Sequence, residues 1–382
     1  MKLLIYTVYY PSPEELGIPR DTEIVHYFAR DWKKAGHDVR VVVMNFRFTR
    51  YIRSGLHRIF PKEGDYIYEG IPVHYFDVQA YLPKRWYTSS AQAAWINKRL
   101  TRHFSQIGWS PERVFIQFPT RFVGIQHPFS FGVPTFGVFH NTDRFCLQND
   151  NGPVKRYVSQ IKHLGYYNHL IRDVLRDKLG RESVPAYAGI DESLLASSDM
   201  IEEKIAKPAD TLRLLYAGKF MKQKQVDTII EAVKRVSFPC ELTIAGYGTQ
   251  EEEASLRRLA EGCGHIRFTG RLTREQVIEQ MRKADVFIMV SHTETFGLVH
   301  LESMAQGCIN IGSRGEGIDG VILDGQNGYL VAAGSVEELS ARLEYINKLS
   351  PEERGRLIRA SYRTARETTN EKMAENELRA NQ

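Results

Sequence analysis

The chain has 382 residues, of which 42% are hydrophobic and 25% charged, a composition typical of a soluble globular protein. This length exceeds what one hydrophobic core usually supports, so it predicts two domains. The net charge of +5 is uneven, because residues 1–185 carry 26 Lys and Arg against 16 Asp and Glu (+10) while the rest carries 25 against 30 (−5). We therefore expect the two halves to meet different partners.

The cysteine pattern and the N-terminus bear on the cellular compartment. The four cysteines are scattered and none belongs to a Cys-x-x-Cys pair, which argues against a disulfide framework or a cysteine zinc site and favours reduced thiols in a cytosolic protein: Cys146, Cys240, Cys263 and Cys308. Residues 1–13 faintly resemble a signal peptide, but the apolar run is only about six residues long, so we predict a first β-strand. The sequence shows no candidate transmembrane segment.

In chain order, the apolar pattern predicts alternating strands and helices. Predicted strands of the N-terminal half lie at 2–10, 37–44, 113–118 and 133–140, with a helix at 22–36 that ends at Gly36. The C-terminal half alternates regularly between strands at 211–218, 240–246, 265–270, 285–291 and 308–313 and helices at 226–236, 251–262, 274–284 and 296–307. Residues 353–382 are predicted to form two further helices.

Short strands alternating with helices indicate βαβ units and a parallel sheet in each half. We predict an α/β protein of two doubly wound, Rossmann-like domains with a boundary near 185–211. The predicted domains are 1–185, 186–365 and a C-terminal helix in 366–382 that could cross back to the first domain. Ligands of such sheets bind beyond the carboxyl ends of the strands, so the strand-to-helix turns are the places to search for function.

The first such turn, YAGKFMKQKQ at 216–225, places Lys219 and Lys224 before a predicted helix. Lysines at a helix N-terminus oppose the helix dipole, and a bound diphosphate would explain both the cations and the free amides. A simple solvated lysine cluster is the alternative, and this turn alone does not decide between them.

The second turn, SHTETFGLVHLE at 291–302, contains Glu294 in a predicted loop and Glu302 about one and a half turns into a helix that starts near Phe296 or Gly297. Glu302 falls on the apolar side of that helix, where a carboxylate needs donors, and the vicinal hydroxyls of a ribose or hexose are suitable. The first amides of the helix could meet a phosphate. The alternative is a capping acid followed by an exposed helical Glu.

The third turn follows the predicted strand at 308–313. Gly315, Gly317 and Gly320 spell G-x-G-x-x-G, which is a weak signal because no domain begins here. We interpret this segment as a loop and helix start that shape a pocket near the bound sugar.

Taken in order, these turns resemble family 4 of the retaining glycosyltransferases, which have the two-domain GT-B fold. The matching segments are Gly218-Lys219 with Lys224, IAGYG at 244–248, FTGRL at 268–272, the Glu-x7-Glu pair of ETFGLVHLE, DGQNGYLV at 324–331, KKAGHDVRVVV at 33–43, His140 in FGVFHN, and GID at 189–191. The match spans nearly the whole chain but is dense only from 212 to 332.

The resemblance implies transfer of a sugar, with retained anomeric configuration and without a metal or cofactor, from a UDP- or GDP-linked donor. Lys219 and Lys224 would neutralise the donor diphosphate, Glu294 would bind the transferred sugar, and His140 would lie near the anomeric carbon, although a strand-end histidine is its ordinary interpretation. The remaining donor contacts implied are Gly17, Gly218, Leu272 at the base, Phe296, Gly297, Leu298 and Glu302 at the ribose.

One departure from the family concerns the first loop, where a Gly-Gly pair is common. Pro19 and Arg20 occupy that place here, Gly17 is nearby but shifted, and Pro has no amide to offer a phosphate. Elsewhere the chain contains no Asp-x-Asp motif, which agrees with stabilisation of the leaving group by lysines in place of a divalent ion.

The segment 45–62 carries five cations and no acid, interleaved with apolar residues. On a helix, Phe48, Ile52, Leu56, Ile59 and Phe60 would form one apolar face that could lie on an anionic membrane. A solvated loop whose apolar residues pack back on the domain is the alternative. With the resemblance, this predicts a cytoplasmic enzyme of surface polysaccharide assembly, peripheral at the inner membrane face, with a glycan or lipid-linked acceptor and no nucleic acid partner.

Three other functions stay open at this stage. The glycine runs would suit a dinucleotide-dependent oxidoreductase, and the basic N-terminal half would suit a non-enzymatic binder of sugar nucleotides or nucleic acid. A phosphorylase of the same fold would turn over inorganic phosphate.

Overall fold

A computed structural model describes residues 1–16, 23–48, 62–80, 89–149, 152–206 and 211–380. The chain forms two compact units. The first comprises Met1–Tyr167, Ile171–Ala188 and Asn370–Gln382, and the second comprises Asn168–Leu170 and Gly189–Thr369. The domain boundaries predicted from the sequence fall after residues 185 and 365.

The elements up to residue 188 are β1 (Lys2–Thr7), α1 (Ile24–Lys34), β2 (Asp38–Phe48), β3 (Lys62–Tyr68), β4 (Ile71–Ala80), α2 (Ser90–Gln106), β5 (Arg113–Gln117), β6 (Thr135–Phe139), α3 (Asn141–Asn149), α4 (Pro153–Val158), β7 (His163–Tyr166), α5 (His169–Leu179) and β8 (Val184–Pro185). Their strands form one sheet in the order β3-β4-β2-β1-β5-β6-β7-β8. Neighbouring strands are parallel except β3, which is an antiparallel edge strand on β4.

The later elements are α6 (Ser198–Ala206), β9 (Leu212–Lys219), α7 (Val226–Arg235), β10 (Cys240–Tyr247), α8 (Gln250–Leu259), β11 (Ile266–Gly270), α9 (Arg274–Lys283), β12 (Val286–Ile288), α10 (Leu298–Ala305), β13 (Ile309–Ser313), β14 (Tyr329–Val331), α11 (Val336–Asn347), α12 (Pro351–Glu367) and α13 (Asn370–Ala380). The second sheet is entirely parallel among the described residues, in the order β11-β10-β9-β12-β13-β14. Helices α12 and α13 confirm the two predicted C-terminal helices.

Helix α13 belongs to the first unit and packs there on α1. The Trp32 indole Nε1 donates to the carbonyl of Ala374 at 2.8 Å, and Arg113 Nη1 donates to the carbonyl of Leu378 at 2.6 Å. Leu378 lies in the last turn of α13, where helix carbonyls lack intrahelical donors, so Arg113 satisfies one of these carbonyls. The C-terminal residues are thus part of the core of the N-terminal unit.

Burial of the strands explains why their apolar runs could be recognised in the sequence. Five of the six residues of β1 and all five of β6 are buried, because a parallel sheet is covered on both faces and its strands become near-continuous apolar runs. In the second unit, Gly218 of β9 pairs with Gly246 of β10, and a Cβ on Gly246 would lie 1.8 Å from the carbonyl oxygen of Gly218. Glycine is therefore required where these two strands end.

One predicted strand end was wrong, and one of the two alternatives for segment 45–62 does not hold at its start. The strand predicted to end near Ser291 ends at Ile288, so the loop before α10 is longer than expected. In the helical alternative for 45–62, Phe48 would start the apolar face, but it is the last residue of β2, where it pairs with Ala80 of β4. Pairing with a neighbouring strand outweighs a local helical spacing. Among the described residues, every helix is too short or too polar to cross a lipid bilayer.

Candidate functional site

The predicted lysine turn lies at the carboxyl end of β9. Lys219 is the last residue of the strand and is exposed, with its ammonium 5.9 Å from the centre of the Tyr247 ring. Lys224 ends a single 3-10 turn, and Gln225, in the left-handed region at φ +49°, leads into α7. Both lysines precede the helix, as the sequence predicted.

Lys224 and Glu294, which come from two different turns, form an ion pair in which Lys224 Nζ donates to Glu294 Oε2. Their side chains are 20% and 16% exposed, so the pair is partly shielded from water and still reachable from outside. The fold thus brings together two residues that are 70 positions apart in sequence and that were predicted independently. A ligand with an anionic end and a hydroxylated end could engage both partners at once.

Backbone contacts fix the loop that carries Glu294. The amide of His292 donates to the carbonyl of Gln223 at 2.7 Å, which joins this loop to the lysine turn. The amide of Glu294 donates to Glu316 Oε2 at 2.9 Å, and Asn168 Nδ2 donates to the carbonyl of Thr295 at 2.7 Å. Sequence reasoning missed both Glu316 and Asn168, because each acts on backbone atoms of a segment distant in sequence.

The glycine-rich turn packs directly against this loop. A Cβ on Gly317 would lie 2.2 Å from the carbonyl oxygen of Thr295, and the amide of Gly317 donates to the carbonyl of Glu294 at 3.2 Å. The predicted helix start is wrong, because residues 314–328 contain turns and isolated bridges and no helix. The structural basis for a dinucleotide fingerprint is therefore missing. The predicted part of this turn in shaping a sugar pocket stays a prediction.

Helix α10 begins at Leu298, after Gly297 in the left-handed region at φ +83°. A Cβ on Gly297 would also lie 2.9 Å from Met289 Cε, so glycine is favoured there for two reasons. The first amides of α10 have no intrahelical acceptor and can meet an anion. Behind them, burial lowers the pKa of His300 to about 4, so this imidazole is neutral and Nδ1 bonds Asn310 Oδ1 at 2.9 Å.

Glu302 is the fifth residue of α10, and its carboxylate accepts a hydrogen bond from Arg274 Nη2 at 2.8 Å. The Glu302 side chain is 17% exposed and that of Arg274 is 55% exposed. Burial raises the pKa of the Glu302 carboxyl, and the Arg274 guanidinium opposes that rise. Sequence reasoning missed Arg274, although a cation as the first residue of α9 is the same signal that singled out the lysines.

The other predicted donor contacts occupy the surroundings of these turns. Phe296 is buried at 2% exposure, while Leu298 and Leu272 are half-buried, and Leu272 packs against the core of the second unit. Gly218 lies one residue before Lys219 in β9. Their contacts with a nucleotide stay predictions.

His140 lies in the first unit, directly after β6, and is buried. Its ring stacks on Phe118 with centroids 3.8 Å apart and on Tyr167 at 4.7 Å, while Nε2 lies 2.9 Å from Gln117 Oε1. Burial lowers the pKa of His140 to about 3 and raises that of Asp143, which accepts the His140 amide at 2.8 Å, to about 6. The imidazole is therefore neutral and rigidly held, and its role near an anomeric carbon stays a prediction.

Several predicted features fall outside the described residues. Gly17, Pro19 and Arg20 are among them, so the first-loop departure stays a sequence observation. Most of the segment 45–62 is also outside, although its first four residues belong to β2 and its last begins β3.

Comparison with known proteins gives this site a family context. Residues 197–364 match the family described as glycosyl transferases group 1. An uncharacterized glycosyltransferase, MJ1178 of Methanocaldococcus jannaschii, is 26% identical over 234 residues, which cover 60% of this chain and 63% of that protein. The lipopolysaccharide core biosynthesis glycosyltransferase LpsE of Rhizobium meliloti is 35% identical over 146 residues, 37% of this chain and 42% of LpsE. Both alignments thus span less than two thirds of the relative.

Solved structures resemble the whole chain. Anabaena Alr3699/HepE, in a complex with UDP and glucose, aligns with a TM-score of 0.62 at 14% identity over 99% of this chain and 98% of that one. Identity this low shows the fold alone. Together with the two parallel sheets and their helices, it confirms the predicted GT-B fold class.

Proposed function

We propose that this chain, whose residues 197–364 match the family of group 1 glycosyl transferases, is a retaining glycosyltransferase that uses a UDP- or GDP-linked sugar. The observation that carries the proposal is the ion pair between Lys224 and Glu294 at the edge of the second sheet where ligands of such folds bind. Lys224 suits a diphosphate and Glu294 suits sugar hydroxyls, and Glu294 lies in the loop that leads into α10, whose first amides can meet an anion.

The reaction needs charge stabilisation on the leaving group. When the bond between the anomeric carbon and the diphosphate oxygen breaks, the electron pair stays on that oxygen and negative charge grows there. Lys224, Lys219 and the amides at the start of α10 are cationic or positively polarised groups in place before the reaction, so they cost no reorganisation as the charge develops. This account gives the transfer step no metal ion.

The ion pair also suggests how the donor enters. A bound diphosphate competes with Glu294 for Lys224, and Glu294 then becomes available to accept from hydroxyls of the transferred sugar. Glu302 accepts from the ribose in the same way, with Arg274 holding its carboxylate in place. Each carboxylate is thus paired before the donor arrives, which offsets the desolvation of a half-buried charge.

For the acceptor, the support comes from similarity to a named relative. LpsE is named for lipopolysaccharide core biosynthesis, which favours a glycan or lipid-linked acceptor in surface polysaccharide assembly at the inner face of the membrane. The basic segment 45–62 is our candidate for contact with anionic lipid, and His140 for contact near the anomeric carbon. Co-sedimentation with anionic vesicles tests the segment: binding should weaken as salt rises, and a protein that stays in the supernatant at low salt would contradict it.

The function itself is tested with the full chain and a panel of UDP-, GDP- and ADP-sugars. A true donor should raise the melting temperature and release its nucleoside diphosphate when a glycan acceptor is added; at 100 times its Kd it stabilises by about 2.7 kcal/mol. Lys222→Ala, an exposed lysine in the same turn, is the matched control for Lys224→Ala. If no sugar nucleotide stabilises the chain or releases a diphosphate, the proposal is wrong.

A further inference from the structure

Three side chains of the first unit converge at the edge of its sheet, away from every residue used above. Asp65 of β3 lies directly opposite His74 of β4 in the antiparallel register, and His74 Nδ1 lies 2.9 Å from Asp65 Oδ1. Helix α2 brings His103 Nε2 to 3.9 Å from the same oxygen. One ligand atom from each of the three residues lies within 4.8 Å of those of the other two.

Packing alone gives no reason for this arrangement. His74 is 7% exposed, and its Nε2 is buried with no hydrogen-bond partner among the described residues. The His74 and His103 rings are stacked at 4.0 Å with 23° between their planes. The Nδ1 bond to Asp65 leaves this buried nitrogen unsatisfied, which is unfavourable, so hydrogen bonding among the described residues does not fully account for the position of His74. Two imidazoles held side by side against a carboxylate are, in contrast, a usual ligand set for a transition metal.

We propose that Asp65, His74 and His103 bind a zinc ion. Zinc accepts imidazole nitrogen and carboxylate oxygen together, and with three protein ligands its fourth position takes water or another small ligand. A cavity of about 390 Å³ adjoins the cluster and is lined by all three residues and by Arg40, Tyr66 and Phe104, among others. The site thus has room for that fourth ligand.

The charge of the surroundings selects the fourth ligand. Asp65 supplies one negative charge, and the guanidinium of Arg40 adds one positive charge at the same cavity. Zinc bound there leaves an excess of positive charge, which favours an anionic fourth ligand such as hydroxide or a carboxylate over neutral water. Arg40 Nε is itself buried without a partner among the described residues, so a donor is already present at the cavity wall.

The metal would join an edge strand to a helix. Among the described strands, β3 pairs on one side only, with β4, and an ion pair between Glu63 and Arg99 already links β3 to α2. Zinc on Asp65, His74 and His103 makes a second link between the same two elements. Its role is therefore stabilisation of the first unit, and the sugar-transfer step proposed above does not depend on it.

The test uses the full chain with Cys146→Ser and Cys263→Ser, because these half-buried thiols could bind zinc on their own. After chelation and desalting, zinc is titrated in competition with a chromophoric chelator. We expect one zinc per chain and a loss of affinity of at least about 100-fold in Asp65→Asn and in His103→Gln. The matched control is His265→Gln, an exposed histidine of the second unit, which should bind zinc as the parent does.

Cobalt(II) provides a readout that needs no variant. A site with imidazole, carboxylate and one further ligand should give the intense visible absorption of four-coordinate cobalt, and added zinc should abolish it. Equal zinc affinity in the parent and both variants, or cobalt spectra of the hydrated ion only, would overturn the proposal. Release of nucleoside diphosphate should be unchanged in His103→Gln, so failure of the zinc site and failure of the glycosyltransferase proposal are distinguishable.

Discussion

The polar groups of the two units are organised differently. In the second unit, charged side chains at strand-to-helix turns pair across turns while staying partly exposed, as Lys224 does with Glu294 and Arg274 with Glu302. In the first unit, His140 and His74 are buried against aromatic or imidazole rings. The partly exposed pairs of the second unit are able to exchange an internal partner for a ligand, whereas the rings that surround His140 and His74 hold these side chains in fixed positions.

Lys224→Ala should give the largest loss, because its partner charge grows in the transition state. We expect kcat to fall by about 100–1,000-fold with a smaller change in KM, as for loss of one preorganised charge-stabilising group. Steady-state kinetics at saturating donor, with Lys222→Ala alongside as the control, measures it. Equal kinetics for wild type and Lys224→Ala would show that Lys224 does not stabilise the leaving group, and that its pairing with Glu294 is not part of a ligand site.

The second unit also contains a buried histidine, His300, and it should make the stability of the protein depend on pH. The pKa of His300 is lowered to about 4 from 6.5, so the folded state binds fewer protons than the unfolded chain between these values. The contribution of neutral His300 to the free energy of unfolding is fully present above pH 6.5 and is lost as pH falls towards 4. In total it amounts to about 3 kcal/mol, at 1.36 kcal/mol per pKa unit.

Urea unfolding of wild type and His300→Gln at pH 7, 6 and 5 measures this dependence. The variant should lose less stability than the wild type on acidification, because glutamine does not titrate. Parallel losses in the two proteins would show that His300 is not the titrating group.

Glu302→Ala should weaken donor binding because the ribose loses its acceptor. Hydrogen bonds to charged groups contribute about 1.5–3 kcal/mol, so Kd should rise by about 10–100-fold. Calorimetric titration with the nucleoside diphosphate measures this directly. Glu279→Ala, an exposed helical carboxylate of the same unit, serves as control, and equal binding by both variants would exclude the ribose role.

Gly317→Ala tests whether the glycine-rich turn supports the loop of Glu294. The added methyl would lie 2.2 Å from a backbone oxygen, so the loop must shift, at a cost of about 1–3 kcal/mol in stability or donor affinity. Gly264→Ala is the control, because its methyl would meet no atom within 4 Å. Matching melting temperatures and donor affinities in the two variants would show that the turn accommodates the added methyl group without loss of stability or affinity.

Chelation should have the smallest effect on turnover. With 1,2-diaminoethane-tetraacetate present, the initial rate of nucleoside diphosphate release should be unchanged, because the proposed step relies on lysines and helix amides to stabilise the leaving group. A complete loss of activity that Mn²⁺ restores would instead place a metal in the transfer step of the second unit.

Much of the second unit could be predicted from the sequence. Its strands are short apolar runs, its helices start at glycine or polar residues, and parallel strands place their carboxyl ends along one edge. Lys219, Lys224 and Glu294 were therefore recognisable as site candidates. The end of β12 was not, because the apolar run continues through Val290, two residues past the last paired residue, Ile288.

Other features were decided by tertiary structure alone. Phe48 is spaced from Ile52 and Leu56 as on a helical face, but it lies in a strand and pairs with Ala80. Arg274 reaches Glu302 only because α9 and α10 pack together. The sequence prediction of no metal came from the family resemblance, with which the missing Asp-x-Asp motif agrees, while the cysteine spacing argued against a cysteine zinc site. The cluster of Asp65, His74 and His103 forms only through the pairing of β3 with β4 and the packing of α2. Sequence periodicity shows which face of a helix or strand a residue occupies, but it does not show which other element packs against that face.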